Sequence, residues 1–241
     1  MKDNPQRRTT TIWGIITVIA VFAIFAPHIF GMDGFSGGFA ISTLSFFVAI
    51  TGIIVVVIYV KRARALDRLF QGENLLAHWT YSPEEWRQYT EQEFQTERKE
   101  KWGLFYLIAG IALFLGIVFL IIDPKAGLFV FFVMLGLIAL IAFVAWITAW
   151  STYRQNKKYL GEAYIATTAV YLNRQFHTWK GLGARLVSVI LAEEKGQQLV
   201  AFTYAMPTRT GMQEYTVRIP VPQGQEKAAE AIAEKLSAGT A

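Results

Sequence analysis

The side chains with the widest chemical reach are three histidines, His28, His78 and His177. A metal centre gathers three or four donors around one ion, usually with carboxylates or cysteines among them. The chain contains no cysteine, which removes disulfides, thiolate ligands and thiol nucleophiles together. His28 ends a long apolar run, far from the other two. His78 and His177 can approach one another only if the run around His78 joins the strands around His177. That pair defines an alternative reading, a metalloenzyme at a membrane interface. The plainer reading packs both histidines beside Trp79 and Trp179. No HExxH, GxSxG, P-loop or GxGxxG motif is present. The expectation is a chain with no catalytic residue, no metal ligand set and no cofactor, hence not an enzyme.

Other residues suit recognition. Trp86 and Tyr89 lie on a segment, 83–101, whose alternating charges read as a solvated helix, and they are candidate anchors for a protein partner. Lys180 and Arg185 are basic but spaced singly. Arg209, in the loop PTRTGMQ with Thr210 and Gly211, can present backbone amides to an anion, although a hairpin turn explains the same residues. Basic residues at 61–68 and 154–158 should attract anionic lipid, and membrane topology accounts for them equally. From Ser151 onward there are eleven basic and seven acidic residues without a basic stripe, so nucleic acid is not an expected partner.

These residues must be positioned by an unusual chain. Of its 241 residues 54% are apolar and only 17% charged, against about 25% charged in a soluble domain. No Asp, Glu, Lys or Arg occurs in 9–32, 34–60, 102–122 or 126–153, and each window exceeds the roughly 20 residues that span a bilayer core. Four transmembrane helices are expected, near 12–30, 39–60, 103–122 and 128–150. The first outlasts a signal-peptide core and lacks a small-x-small cleavage site, so it is read as retained. Lys2, Arg7 and Arg8 precede it; eight basic residues fall in 61–101 and three more at Arg154, Lys157 and Lys158. The turns 31–38 and 123–127 hold only Lys125 between them. By the positive-inside rule both termini and the middle segment face the cytoplasm, which places the protein in a bacterial-type inner membrane.

A repeat at an offset of 89 residues relates the two halves: Trp13-Gly14 recurs as Trp102-Gly103, and Gly72-Glu73 as Gly161-Glu162. Two tandem hairpins are therefore expected, each extended inward by a polar helical tail capped by a left-handed glycine, Gly72 or Gly161. A strand follows each cap, at 73–81 and from 162. Ser82, Pro83 and Glu85 form a capping box for the helix that continues into the third span. The small-residue pairs Ala112-xxx-Gly116 and Ala145-xxx-Ala149 permit close helix contact, within one chain or in a homo-oligomer. The organisation reads as a first hairpin (1–60), a cytoplasmic helix-strand-helix connector (61–101), a second hairpin (102–150) and a β domain (151–241).

In that β domain EAYIATTAVYL, RQFHTW, ARLVSVILAEE, QLVAFTYAMPT and EYTVRIPVP are β-branched and aromatic runs separated by turn residues, a pattern of antiparallel hairpins. Pro220-Val221-Pro222 ends the sheet, and 223–238 reads as an amphipathic helix with Ala228, Ile232 and Leu236 on one face. The series of strands followed by one C-terminal helix resembles a pleckstrin-homology (PH)-like domain. The stretch AYIATTAVYLNRQFHTWKGL…LVSVIL…IPVP is similar to the PH-like domains of bacterial membrane-tethered proteins, with Tyr171, Phe176, Trp179 and Val189 at the matching places. That resemblance implies a recognition module.

The fold class expected is thus an α+β membrane protein with four transmembrane helices in two tandem hairpins and a cytoplasmic PH-like antiparallel β domain. Its expected role is a membrane-anchored scaffold or binding module that recognises a protein segment or a lipid headgroup. A small transporter or channel subunit is the third reading; the spans carry no ionisable group beyond His28, which argues against it.

Overall fold

The computed structural model describes residues 3–181, 183–194 and 196–238. Lys2, counted above in the amino-terminal tail, and Leu182 and Lys195, in two anticipated turns, lie outside them. Helix α1 (Pro5–Ile29) begins with Asn4, whose side chain accepts the Gln6 N–H at 2.9 Å, and with Pro5 at the first helical position. After the turn Gly34–Gly38, helix α2 (Phe39–Phe70) runs through the charge-free window and ten residues into the basic tail. It ends in a Schellman motif: Gly72, at φ +85°, donates to the Leu69 carbonyl, and Glu73 to that of Arg68.

Strand β1 (Leu75–Thr80) leads to helix α3 (Pro83–Ile122), which opens on the anticipated capping box between Ser82 and Glu85. Glu97 and Lys101 pair at 2.9 Å along it. Helix α4 (Pro124–Lys158) follows a single N-cap residue, Asp123, whose carboxylate accepts two first-turn N–H groups. Among the described residues four helices are long and apolar enough to cross a membrane.

The remainder is strand. The run EAYIATTAVYL does not stay one strand; it breaks at Thr167-Thr168 into β2 (Glu162–Ala166) and β3 (Ala169–Leu172). Strand β4 (Gln175–Thr178) returns antiparallel to β3, with Val170 opposite His177. Their turn holds Asn173 and Arg174 at φ +41° and +73°, the two positive values that a tight hairpin requires. Strands β5 (Arg185–Glu194), β6 (Gln197–Thr208) and β7 (Gly211–Pro220) precede helix α5 (Glu226–Ser237). They form two sheets, in the orders β1-β2-β3-β4 and β5-β6-β7. The fold is α+β. The connector strand is an edge strand of the first sheet, beside β2, so a strand encoded between the two helical hairpins completes a sheet encoded after both.

Two compact units emerge. The first comprises Met1–His78, Tyr164–Leu186 and Tyr204–Tyr215; the second comprises Trp79–Ala163, Val187–Thr203 and Thr216–Ala241. In the first, α1 and α2 pair, and Asn4 ties them by donating to the Ala63 carbonyl (2.9 Å) and to Asp67 (2.8 Å). The polar tail of α2 carries its own apolar stripe. Leu66 and Leu69 are fully or almost fully buried against Tyr164, Ala166, Ala169, Tyr171 and Phe176, each contributing roughly 1.5–3 kcal/mol by removal from water.

In the second unit α3 and α4 pair through the expected small residues. Ala112, Gly116 and Ala149 are buried, and a Cβ on Gly116 would meet the Phe131 ring at 3.1 Å. These contacts lie within one chain. Helix α5 buries Ala229, Ile232, Ala233 and Leu236; Ile232 and Leu236 are on the anticipated face, with Ala228 half-buried at its edge. Val221, between the two prolines, still donates to the Gln198 carbonyl at 2.9 Å, one rung beyond the anticipated end of the ladder.

Candidate functional site

The polar tail of α2 has two faces. Leu66 points into the core, while Lys61, Arg62 and Arg68 ring a cavity of about 140 Å³ that Ala65 and Leu69 also line and whose other walls come from β2, β3 and the residues around β4. Lys180 joins them from the segment just after β4, and Thr168, Thr178 and Asn74 add polar groups. Four cations face one carboxylate there, Glu73, which lies 3.9 Å from Arg68. Arg62 is held firmly: one guanidinium nitrogen donates to the Phe176 carbonyl at 2.5 Å, another reaches Gln6, and the group lies 5.6 Å from the centre of the Phe176 ring. Lys61 and Lys180 are exposed and form no ion pair among the described residues. The cavity is therefore preorganised on one side and adjustable on the other. Four cations against one carboxylate are an arrangement suited to a small anion.

Of the residues singled out from sequence, Lys180 is in this cavity; Arg185 and Arg209 are not. Arg209 is exposed in the β6–β7 turn, where the Thr208 hydroxyl donates to the Gly211 carbonyl at 2.7 Å and Gly211 takes φ +121°. That is a hairpin turn. From sequence, Lys61, Arg62 and Arg68 carry only a topology signal and a general attraction for anionic lipid. Part of their signal is helical: positions 61, 65 and 68 share one stripe, whereas Arg62 lies one turn before Leu66 and off that stripe.

Trp86 and Tyr89 require a correction. They are only 4% and 5% exposed and cannot anchor a separate partner, because the chain itself occupies them. The Tyr81 and Tyr89 hydroxyls donate to the Pro220 and Arg218 carbonyls, each at 2.9 Å. Burial pushes both phenols well above their ordinary pKa. Glu85 accepts the Gln223 N–H at 3.0 Å, and Glu93 pairs with Arg218 through two contacts of 3.2 Å. Tyr81, just ahead of α3, and Glu85, Tyr89 and Glu93 at four-residue spacing along it thus fasten the start of that helix to the end of β7 and the segment after it.

Trp86 does something else. Its indole N–H donates to the Asn156 carbonyl at 2.9 Å, one of the last four carbonyls of α4, which have no partner inside their helix. Gly161 therefore is not the left-handed cap its counterpart Gly72 is. It stays outside the positive-φ region, and a Cβ there would overlap the Trp86 ring. The glycine is needed for close approach instead.

The histidines are apart. His78 is on β1 and His177 on β4, at opposite edges of a four-stranded sheet; with strands about 4.8 Å apart, three steps separate them by roughly 14 Å. No single ion reaches both. His78 stacks on Tyr164 at 4.1 Å between ring centres, and His177 Nδ1 shares a hydrogen bond of 3.0 Å with the Tyr204 hydroxyl. Burial, reinforced by the Arg62 charge, lowers the His177 pKa from 6.5 to about 4. The folded chain refuses a proton that the unfolded chain accepts below pH 6.5. The stabilisation is thus whole above 6.5 and drains away as pH falls towards 4. At 1.36 kcal/mol per unit, discounted for partial solvent access, about 2 kcal/mol is at stake. Melting curves of the detergent-solubilised protein between pH 7 and 4 should fall in stability, and His177→Gln should flatten that fall. An unchanged slope in the variant would assign it to other groups.

No family profile matches this chain, and neither a curated protein nor a solved structure matches it. The class is defined by the fold: an α+β chain with four helices of membrane-crossing length and a cation-lined cavity at the foot of the second.

Proposed function

We propose that this is an integral membrane protein whose β region, a PH-like domain, is a non-enzymatic binding module for a ligand at the cytoplasmic headgroup layer. The four long helices cross the inner membrane, with both termini and residues 61–101 in the cytoplasm. Their surfaces support membrane insertion. In the most apolar window of α1, α2 and α3 only 11% of residues are buried, and 6% in α4, leaving side chains such as Phe22, Leu44, Phe114 and Phe129 more than 60% exposed. Apolar faces of that extent belong in lipid. Strands β2 to β7, joined by β1 and followed by one amphipathic helix, support the PH-like resemblance.

One observation carries the choice of ligand layer. Lys61, the first charge after the window 34–60, is also a wall of the cavity. The cavity therefore lies where the apolar helix meets headgroups. The protein-segment reading loses its anchors to the chain's own core, and the metalloenzyme reading loses its histidine pair to the sheet order.

Because the chain lacks cysteine, single introduced thiols test this reading cleanly. Ser36→Cys should react with a membrane-impermeant maleimide added to intact cells, and Arg209→Cys only after permeabilisation. The reverse pattern would overturn the topology. A photoreactive maleimide on Lys180→Cys should then yield an adduct of lipid mass. A protein adduct, or none, would sink the headgroup reading.

A further inference from the structure

We infer that the cavity beside α2 is a site for one phosphate group, supplied by an anionic phospholipid of the inner leaflet. The inference deepens the reading above and rests on it. Its volume, about 140 Å³, is below the roughly 300–1,000 Å³ of pockets that enclose drug-sized ligands. It suits a compact oxyanion and little more. Charge selects the sign. Lys61, Arg62, Arg68 and Lys180 oppose the single carboxylate of Glu73, and like charges gathered around a small space repel unless an anion sits among them.

The donors are of the kind that recognise phosphate. Arg62 is fixed by its bonds to the Phe176 carbonyl and Gln6, so its guanidinium is oriented before a ligand arrives. The two lysines bring mobile ammonium groups that can close on the remaining oxygens. Burial keeps His177, which lies behind Arg62 on β4, neutral near pH 7, so it adds no charge of its own. Position selects the source: on the topology proposed above, Lys61 stands at the level of lipid phosphates, which are present there at far higher density than any soluble ester.

The test uses the full-length protein in nanodiscs containing equal parts phosphatidylglycerol and phosphatidylcholine, followed by native mass spectrometry of the lipids retained. Wild type should keep phosphatidylglycerol selectively. The double variant Lys61→Gln/Lys180→Gln should bind it roughly a hundredfold more weakly, because two charge-assisted hydrogen bonds to the phosphate are lost. The control Lys157→Gln/Lys158→Gln removes the same charge at the end of α4 and should not change retention. Both lysines of the first pair are exposed, and an unchanged melting temperature will show that the fold survives. Inorganic phosphate, added at millimolar concentration, should leave the retained lipid in place; displacement by phosphate would keep the anion site and assign it a soluble source. Equal loss in both double variants would mean diffuse attraction and overturn the site. Undiminished selectivity in Lys61→Gln/Lys180→Gln would move the ligand out of this cavity while leaving the binding-module reading intact. No selectivity in wild type would end both.

Discussion

Trp86→Ala should cost about 3–5 kcal/mol of stability, the range for emptying a buried aromatic site. Three losses combine. The ring is buried and stacks between Tyr81 and Tyr89, at 5.5 and 5.2 Å between centres. Its indole is the donor to the Asn156 carbonyl near the end of α4, and the space it fills exists because residue 161 has no side chain. Trp86→Phe separates the terms. It retains most of the ring but removes the N–H, so about 0.5–1.5 kcal/mol should be lost with the hydrogen bond. Gly161→Val approaches the same joint from the other side and should be as damaging as Trp86→Ala, because the new methyls must displace the ring. Denaturant unfolding of the purified protein in micelles measures all three. A Trp86→Ala variant within 1 kcal/mol of wild type would show that the joint is not a structural keystone.

Arg218→Ala should cost about 3 kcal/mol near neutral pH, since it strips one partner from a largely buried pair. Glu93 is left behind. Burial already raises its pKa against the opposing pull of Arg218, with Glu97 and Glu194 raising it further. Without the guanidinium it rises higher still. An acid whose folded pKa is raised gains stability as pH falls through that value, because the folded state then takes up a proton more readily than the unfolded one. The deficit of Arg218→Ala should therefore shrink as pH drops from 7 towards 5. Adding Glu93→Gln should recover part of the loss at pH 7 and remove the pH dependence. A deficit that is the same at both pH values would assign the cost to lost packing of the arginine stem rather than to the stranded carboxylate.

How much of this was legible beforehand differs from element to element. The helices were, because their signal is local. A window without charge, Ser82 just before Pro83, and Gly72 after a basic last turn each describe what neighbouring residues do to one another. The capping box at Ser82 and the left-handed Gly72 are in place for that reason. The hairpin at Asn173-Arg174 was legible in the same way. The break of β2 from β3 was not. Thr167 donates to the Asn74 carbonyl, and the Thr168 carbonyl accepts from Trp179 and from the Thr178 hydroxyl. Those bonds join residues far apart in the chain, and β-branched threonines look like continuous strand.

The site was legible in its parts and not in its assembly. Lys180 stood out as a lone base, and Lys61, Arg62 and Arg68 as a topology signal; nothing in their spacing says that one cavity collects them. The same distinction explains Gly161. Two glycines 89 residues apart promised two equivalent caps, yet only Gly72 adopts the left-handed turn. At the second position Trp86 supplies a donor for the final turn of α4, and a glycine beside it becomes a vacancy for a ring.

By itself the sequence determined where helices of membrane-crossing length run, how α3 begins, and that no thiol chemistry is available. Those properties depend on transfer from water and on bonds between near neighbours, so a linear reading captures them. Strand 73–81 was expected to pack against or add to the β domain, and it adds to it as β1; only the tertiary structure decided that Trp86 and Tyr89 face inward, that the two strand histidines are held apart, and that four cations share one small cavity. Each of those outcomes turns on which distant surfaces meet, and burial and charge act there through space rather than along the chain.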